Sequence, residues 1–419
     1  MLSTLKNAWS VPELRKKILF TLVLLLIYRL GSFIPVPYID SAQLATLINS
    51  GGIFGLFDII SGGNFGNFTI FAMGITPYIN ASIIMNLLAF AIPALENLQK
   101  EGEEGRKKIA QYTRYLTIVL AIIQALGMSL SYSNLLVEKT AFTVFVVVLV
   151  VTAGTTFLMY LGEEITENGI GNGISLIIFI SIISRIPSAI GNISTYIQQG
   201  TINVVSLILL IIFIVVATIA VVAVTEGQRK IPIQYAKRVV GRKMYGGQST
   251  HIPLRVNMAG VIPIIFASSL TLLPATLANF FPNSGFSSWV SNYLAWGKPV
   301  TTIIYIVLTV AFTYFYTAVT FNPFDIADNI KKQGGYVPGI RPGKPTVDYF
   351  TRIMNRLTLF GGIFLAIIAL IPIIVGNFMG GISVQFGGTS LLIVVGVALE
   401  TVKQLESELT MRNYQGFLK

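Results

Sequence analysis

The stretch FTIFAMGITPYINASIIMNLLAFAIP, residues 68–93, runs for 26 positions without one Asp, Glu, Lys or Arg. A helix rises 1.5 Å per residue, so about 20 apolar residues cover the roughly 30 Å hydrocarbon core of a bilayer, and this run reads as a membrane span. Working outward, nine further runs bounded by charge, Gly or Pro lie near residues 16–36, 113–132, 141–161, 173–191, 203–225, 258–281, 300–321, 357–376 and 385–402. A spanning segment must satisfy its own backbone, and these runs are too long and too uniformly apolar for barrel strands. The predicted fold is therefore all-α: a polytopic membrane protein with ten transmembrane helices.

Composition points the same way. The 419 residues are 53% hydrophobic and only 11% charged, against about 25% charged in an ordinary soluble protein. Ten spans with modest loops leave no room for a separate soluble domain. Cysteine is absent, which excludes disulfides, thiolate metal sites and cysteine nucleophiles. No GxxxxGK[ST] or HExxH pattern occurs, and the single histidine, His251, sits in a basic loop without metal partners. No enzyme activity, cofactor or metal is expected. The first run follows Arg15, Lys16 and Lys17 but ends in YRLGSFIPVP, without a small-residue cleavage site, so it is expected to remain as a span.

The net charge of +11 is placed unevenly. Segments 1–17, 95–114, 225–257, 321–356 and 403–419 hold four, five, seven, six and three basic residues, 25 of the 29 in the chain. The positive-inside rule puts these segments, and with them both termini, in the cytoplasm. The acidic turn EEITENGIGNG, residues 163–173, carries no Lys or Arg and is assigned to that side by its neighbours. Ten spans divide into five and five, and an odd number per half makes any internal duplication inverted in the membrane. No sequence repeat is evident.

Within this frame several features ask for a function. IFGLFDIISGGNFGNF, residues 53–68, is too short to span and is cut from the next run by Gly62, Gly63 and Gly66. It reads either as an interfacial surface helix or as a half-helix folded back into the protein, where irregular backbone must line a cavity or be buried. Ile79 and Ile83 stand four apart on one helical face, and Ile174 and Ile178 repeat the spacing; on pattern alone such residues face lipid or core. Ser82, Asn86 and Gln124 are uncharged polar residues inside spans, for which interhelical hydrogen bonding is the ordinary reading. Arg29 is the clear ionisable residue within a span and reads as structural, able to snorkel or to pair with backbone carbonyls. A solute transporter, the main alternative in this class, would place Asp, Glu or His near the midplane, and none is there.

The loop at 225–257 mixes basic residues with Ile, Val and Tyr in β-like alternation and is expected to fold, as a protruding hairpin. In the loop at 322–356, Gly339, Arg341, Pro342 and Gly343 form a tight turn that presents Arg341 outward. Anionic lipid is the simplest partner for these loops; a docked ribosome would offer phosphates and a motor protein carboxylates.

Taken together, YRLGSFIPVP, IFGLFDIISGG, FAMGITPYINASI, EGEEGRKKIAQYTRY, GIGNGIS, QYAKR, QSTHIPLRVNMAGVIPIIFASS, NPFDIADNIKKQGGYVPGIRPG and FGGTSLLIVVGVALET resemble the bacterial SecY family of protein-conducting channels, in order, from about residue 9 to 412. The resemblance implies an hourglass of two five-helix halves, about 1–191 and 192–419, in the bacterial plasma membrane. It implies an apolar pore ring of Ile79, Ile83, Ile174, Ile178, Ile265 and Ile393. It implies a plug formed by Gly52, Ile53, Phe54, Gly55, Leu56, Phe57, Asp58, Ile59, Ile60, Ser61, Gly62, Gly63 and Asn64. A lateral gate is implied between the second and third spans and the seventh and eighth, with Ser82, Asn86, Gln124 and Ser269 beside it. The implied partners are SecE clamping the two halves, usually SecG, and signal-bearing preproteins, with the SecA motor ATPase or the ribosome docked through Arg341 and secondarily through Arg238 and Arg242.

Overall fold

The computed structural model describes residues 2–39, 61–131, 136, 138–198, 204–235, 238–240, 243–245, 249–278, 280–281, 284–295, 298–378 and 388–417. In chain order the first elements are α1 (Leu2–Ser10), α2 (Pro12–Gly31), α3 (Thr76–Ala91), α4 (Pro93–Lys100), α5 (Glu103–Ser131), α6 (Ala141–Asn168), α7 (Gly173–Ile183), α8 (Ile186–Gln198) and α9 (Val204–Glu226). Four strands follow, β1 (Gln228–Tyr235), β2 (Arg238–Val240), β3 (Lys243–Tyr245) and β4 (Ser249–Arg255). The remainder is α10 (Ile262–Ala278), α11 (Gly285–Tyr293), α12 (Pro299–Thr320), α13 (Pro323–Lys332), β5 (Gly335–Tyr336), α14 (Lys344–Phe378) and α15 (Gly388–Phe417).

A helix lies on every one of the ten apolar runs. Among the described residues, Glu103–Leu130, Ala141–Asn168, Pro299–Lys332 and Lys344–Ile371 are each long and apolar enough to cross a membrane, while Gly173–Ser188, Ile211–Glu226 and Ile262–Ala278 are apolar but shorter. Several starts are set by proline: α2, α3, α4, α12 and α13 carry Pro in their first two positions, where the missing N–H costs no intrahelical bond. Large apolar side chains stand outward in continuous rows, such as Leu22, Leu26 and Leu30 on α2 and Ile212, Val215 and Ile219 on α9. A protein in water cannot expose patches of this extent, whereas acyl chains solvate them at no cost.

Some bounds differ from the hydropathy reading. The run at 68–93 becomes helical only at Thr76. Residues 61–75 are turns, held to the end of α2 by Val36 N–H donating to Phe68 O at 2.9 Å and Ile70 N–H to Ile34 O at 3.0 Å. Hydropathy cannot separate an apolar turn buried in protein from an apolar helix. The chain then bends by 99° between α3 and α4. The fifth run breaks into α7 and α8 beside Arg185 and Pro187. On the ninth run α14 begins at Lys344, so the second half of the long loop at 322–356 is helical, and on the tenth run α15 continues to Phe417.

The packing order repeats. In the first half α3 packs on α5, α5 on α6, α6 on α7 and α7 on α2; in the second α10 packs on α12, α12 on α14, α14 on α15 and α15 on α9. The larger contacts between the sets join equivalent members, α3 with α10 and α7 with α15, and α5 also touches α10. This is the geometry of two like five-helix halves facing each other, although their sequences carry no visible repeat.

Most of the basic segments gather at one end. Helix α1 packs on α15, and Ala8, Leu14, Ile170 and Leu405 share a small apolar cluster. Lys17 pairs with Glu408 at 3.0 Å, Lys403 with Glu226 at 2.8 Å, and Arg114 with Glu163 at 2.9 Å. The acidic turn is tied in as well, since Ile170 N–H donates to Thr21 Oγ1 at 3.0 Å. The loop at 225–257 is a hairpin: β1 and β4 pair antiparallel from Gln228↔Arg255 to Gln234↔Ser249. The sequence reading missed its second partner. Strand β5, from the other long loop, pairs with β1 at Gln234↔Tyr336, so the two loops form one three-stranded sheet, ordered β4-β1-β5.

Beneath this sheet Ile231, Ile233, Leu254, Ile330, Val337, Phe350 and Ile353 form a separate buried cluster. Alternation along β1 explains it, with Ile231 and Ile233 inward and their neighbours outward. Phe350 is fully buried, and this cluster lies under polar loops, so ordinary aqueous burial energetics apply. Phe350→Ala is expected to destabilise the folded loops by about 3–5 kcal/mol. The measurement is limited proteolysis: cleavage within 228–255 and at 333–343 should accelerate together, and acceleration at only one of the two would contradict a shared core.

Candidate functional site

Four elements from both halves converge at the centre. Helix α3 contributes Ile79 and Ile83, α7 contributes Ile174 and Ile178, α10 contributes Ile265 and α15 contributes Ile393. All six belong to one contiguous apolar cluster: Ile79, Ile83, Ile178 and Ile393 are buried, and Ile174 and Ile265 are half-buried against them. Their spacing of four on α3 and α7 places each pair on one helical face. Three tyrosines, Tyr28, Tyr78 and Tyr305, belong to the same cluster. Among the described residues, no three His, Cys, Asp or Glu side chains are grouped to hold a metal.

The seam between the halves is closed by aromatic rings. Phe90 on α3 meets Phe315 on α12 edge to face, with centroids 6.0 Å apart, and Gly127 on α5 lies directly against the ring of Phe280, just beyond α10. The second and third spans thus touch the seventh and eighth. Of the polar residues assigned beside this seam, Gln124 and Ser269 are buried. Asn86 is exposed and donates to Ser82 Oγ at 3.5 Å on its own helix. The aromatic pins were not found from sequence, since Phe90 and Phe315 stand in runs where any apolar residue fits the pattern.

Residues 52–60 of the candidate plug lie outside the described residues, and its last four, Ser61, Gly62, Gly63 and Asn64, are seated in the protein. Gly62 has φ +72°, and a Cβ there would meet the backbone of Ser181 at 2.7 Å, so a side chain is excluded by conformation and by space. Asn64 is buried and its amide donates twice, to Tyr28 Oη at 3.0 Å and to Ser61 O at 2.6 Å. Tyr28 Oη lies 2.6 Å from Ser181 Oγ, and Ser181 Oγ lies 2.7 Å from Ile177 O. Tyr28 Oη also reaches Ser61 O at 3.5 Å, and either hydroxyl of the Tyr28–Ser181 pair can be its donor, so Asn64, Tyr28 and Ser181 form one buried polar network that ends on the backbone of α7. Neither Tyr28 nor Ser181 was singled out from sequence; a tyrosine one residue before Arg29 was the available signal. Arg29 itself lies over the ring of Phe33, 5.0 Å from its centroid.

At the basic end Arg341 is exposed in the expected turn, whose backbone is fixed by Thr346 Oγ1 donating to Arg341 O at 2.9 Å and by Gly343 at φ +106°. Arg238 lies on β2, in a hairpin with β3, and Arg242 lies outside the described residues.

A polytopic helical protein whose two sets of helices meet in one shared apolar cluster, with a looped segment seated beside it, is compatible with a membrane channel. The SecY family model matches residues 69–402. The protein translocase subunit SecY of Bacillus subtilis (strain 168) is 50% identical over 431 residues, covering 100% of both chains. The fold is shared with a solved SecY channel in which the plug domain stabilises the closed state and maintains a membrane seal (TM-score 0.66, 22% identity, 94% of this chain and 92% of that one). It is shared too with Sec61 in the canine ribosome–channel complex from the endoplasmic reticulum (TM-score 0.63, 22% identity, 94% and 92%). The chain belongs to the SecY family.

Proposed function

We infer that this protein is the channel subunit of a bacterial protein translocase, passing unfolded preproteins across the plasma membrane and releasing apolar segments sideways into lipid. The observation that supports the reading is that six isoleucines drawn from both halves, Ile79, Ile83, Ile174, Ile178, Ile265 and Ile393, belong to one contiguous apolar cluster, and we read them as the pore ring. Branched apolar side chains fit around an extended chain of any sequence, offer ions no ligands and favour dewetting when the opening is narrow. A signal sequence is itself an apolar helix, so a side opening toward lipid sorts segments by hydrophobicity. Residues 52–64 act as the plug, and the seam closed by Phe90, Phe315, Gly127 and Phe280 is the lateral gate between halves 1–191 and 192–419. No nucleotide-binding loop occurs in the sequence, so energy comes from SecA or a translating ribosome docked on the basic sheet and Arg341, with SecE and SecG completing the complex and anionic lipid bordering it.

Reconstitution with SecE, SecG and SecA in vesicles tests the function: a signal-bearing preprotein should become protease-protected on ATP addition, and solute uptake without such protection would overturn the reading. Orientation is tested separately, because the chain has no cysteine to confuse the assay. In intact cells an impermeant thiol reagent should label Lys298→Cys and not Lys107→Cys; the reverse pattern would invert the topology.

A further inference from the structure

We propose that α11 lies in the headgroup–glycerol layer of the bilayer, at the end of the bundle away from the basic sheet, with its aromatic rings as the lipid-binding surface. The position follows from the path of the chain. Helix α12 has 22 residues, so it covers about 33 Å and delivers the chain to α13 and β5 at the basic end. Helix α11 joins the other end of α12, where Thr301 Oγ1 donates to Tyr293 O at 3.4 Å, and so meets the opposite boundary of a hydrocarbon core of roughly 30 Å. Residues 256–297 carry no Asp, Glu, Lys or Arg, so this stretch offers a partner no charge to pair with. What it offers is aromatic surface.

The helix sorts its side chains. At 3.6 residues per turn Phe286, Trp289, Val290 and Tyr293 share an arc of about 100°, and Ser287, Ser288, Ser291 and Asn292 occupy the remainder. Val290, at the edge of the apolar arc, is 1% exposed and packs with Leu294 on Ala275 and Ala278 of α10. The three rings stay outside: Trp289 is 51% and Tyr293 55% exposed, with centroids 6.0 Å apart, and Phe286 is exposed beside them. Leu277 near the end of α10, Phe281 just beyond it, and Val300 and Ile303 at the start of α12 are exposed too, so the rings continue lipid-facing rows like those on α2 and α9. Tryptophan and tyrosine combine an apolar body with one polar tip, which suits the layer between acyl chains and water. The serine arc suits the aqueous side and asks little of it. Ser291 Oγ donates to Ser288 O at 2.9 Å, and Ser284 Oγ caps the helix by accepting from Ser287 N–H at 3.2 Å. An amphipathic helix of this make lies in the interface plane rather than across it. The anchor is tied to the seam as well, because it packs on the stretch of α10 after Pro274 that leads to Phe280 against Gly127.

The experiment measures spin-label depth. The chain has no cysteine, so single labels on Phe286→Cys, Ser288→Cys, Trp289→Cys, Ser291→Cys and Tyr293→Cys can be read one at a time in the full complex with cysteine-free SecE and SecG. The vesicles are phosphatidylcholine alone, and phosphatidylcholine with phosphatidylglycerol. Power saturation against oxygen and a water-soluble nickel chelate should place the labels at Phe286, Trp289 and Tyr293 about 5–10 Å into the headgroup–acyl boundary and those at Ser288 and Ser291 in water. Both lipids should give the same result, because α11 carries no charge. Adding Trp289→Ala and Tyr293→Ala together should shift the label at Phe286 out into water, since the rings hold the helix down. A label on Ile303→Cys in α12, reading deeper in the acyl region, verifies that each preparation is inserted. Nickel access at all five positions would put α11 in solvent and overturn the proposal. Exclusion of both oxygen and nickel at Phe286, Trp289 and Tyr293 would mean that a protein partner covers the rings, and would overturn it too. A contrast between the two arcs that appears only with phosphatidylglycerol would replace the aromatic surface by a charge effect and equally end the proposal.

Discussion

Arg341→Glu should reduce SecA-driven translocation by two orders of magnitude or more while the protein still inserts and assembles with SecE. Arg341 is exposed on a turn, and its guanidinium makes no ion pair or hydrogen bond among the described residues. The side chain therefore does nothing visible for the fold. Two unit charges at 4 Å interact by about 4 kcal/mol at an effective dielectric of 20, and salt lowers this at a surface. Reversing the sign converts attraction into repulsion, and every 1.4 kcal/mol is tenfold. A loss of about 3 kcal/mol thus depletes the docked complex by more than a hundredfold. Protease protection of a preprotein in vesicles, scored beside recovery of the intact complex, is the check; parental rates would remove the turn from the docking surface.

Ile265→Asn should raise resting conductance and let preproteins with defective signals through. Ile265 stands near the start of α10, half-buried against the central cluster, and its carbonyl accepts from Ser268 Oγ at 2.9 Å. Asparagine matches its size, so packing loss is small. If Ile265 belongs to the proposed ring, the added amide holds water there, which weakens dewetting and destabilises the closed state. If closure is favoured by only a few kcal/mol, a shift of about 1.4 kcal/mol changes the open-to-closed ratio tenfold. Single-channel recording and an export assay on one preparation decide it. A well-expressed variant with parental conductance and parental stringency would place Ile265 in ordinary core.

The parts of this architecture that could be read from sequence are those encoded by composition along the chain. Ten apolar runs announce ten helices because lipid tolerates little else, and 25 of 29 basic residues announce one end. The i, i+4 isoleucines on α3 and α7 were visible as pairs, yet only family resemblance joined them to Ile265 and Ile393, because nothing local records which helices will face each other. The turns at 68–75 read as helix because Phe68 and Phe71 are as apolar as a span and are buried against protein. The Tyr28–Asn64–Ser181 network escaped for the same reason as the β1–β5 pairing: each unites residues more than 30 positions apart through single contacts that no period announces.

The pairing of β5 with β1 also bears on how such proteins can be recombined. The two basic loops are separated in the chain by α10, α11 and α12, yet they share a sheet and a buried cluster around Phe350. A graft that moves one loop from a relative leaves Gln234 facing a foreign Tyr336 position and Ile233 over a foreign core. The transferable unit at this end of the molecule is therefore discontinuous, two segments inherited as one, and chimeras that respect it should accumulate in membranes where single-loop exchanges are degraded.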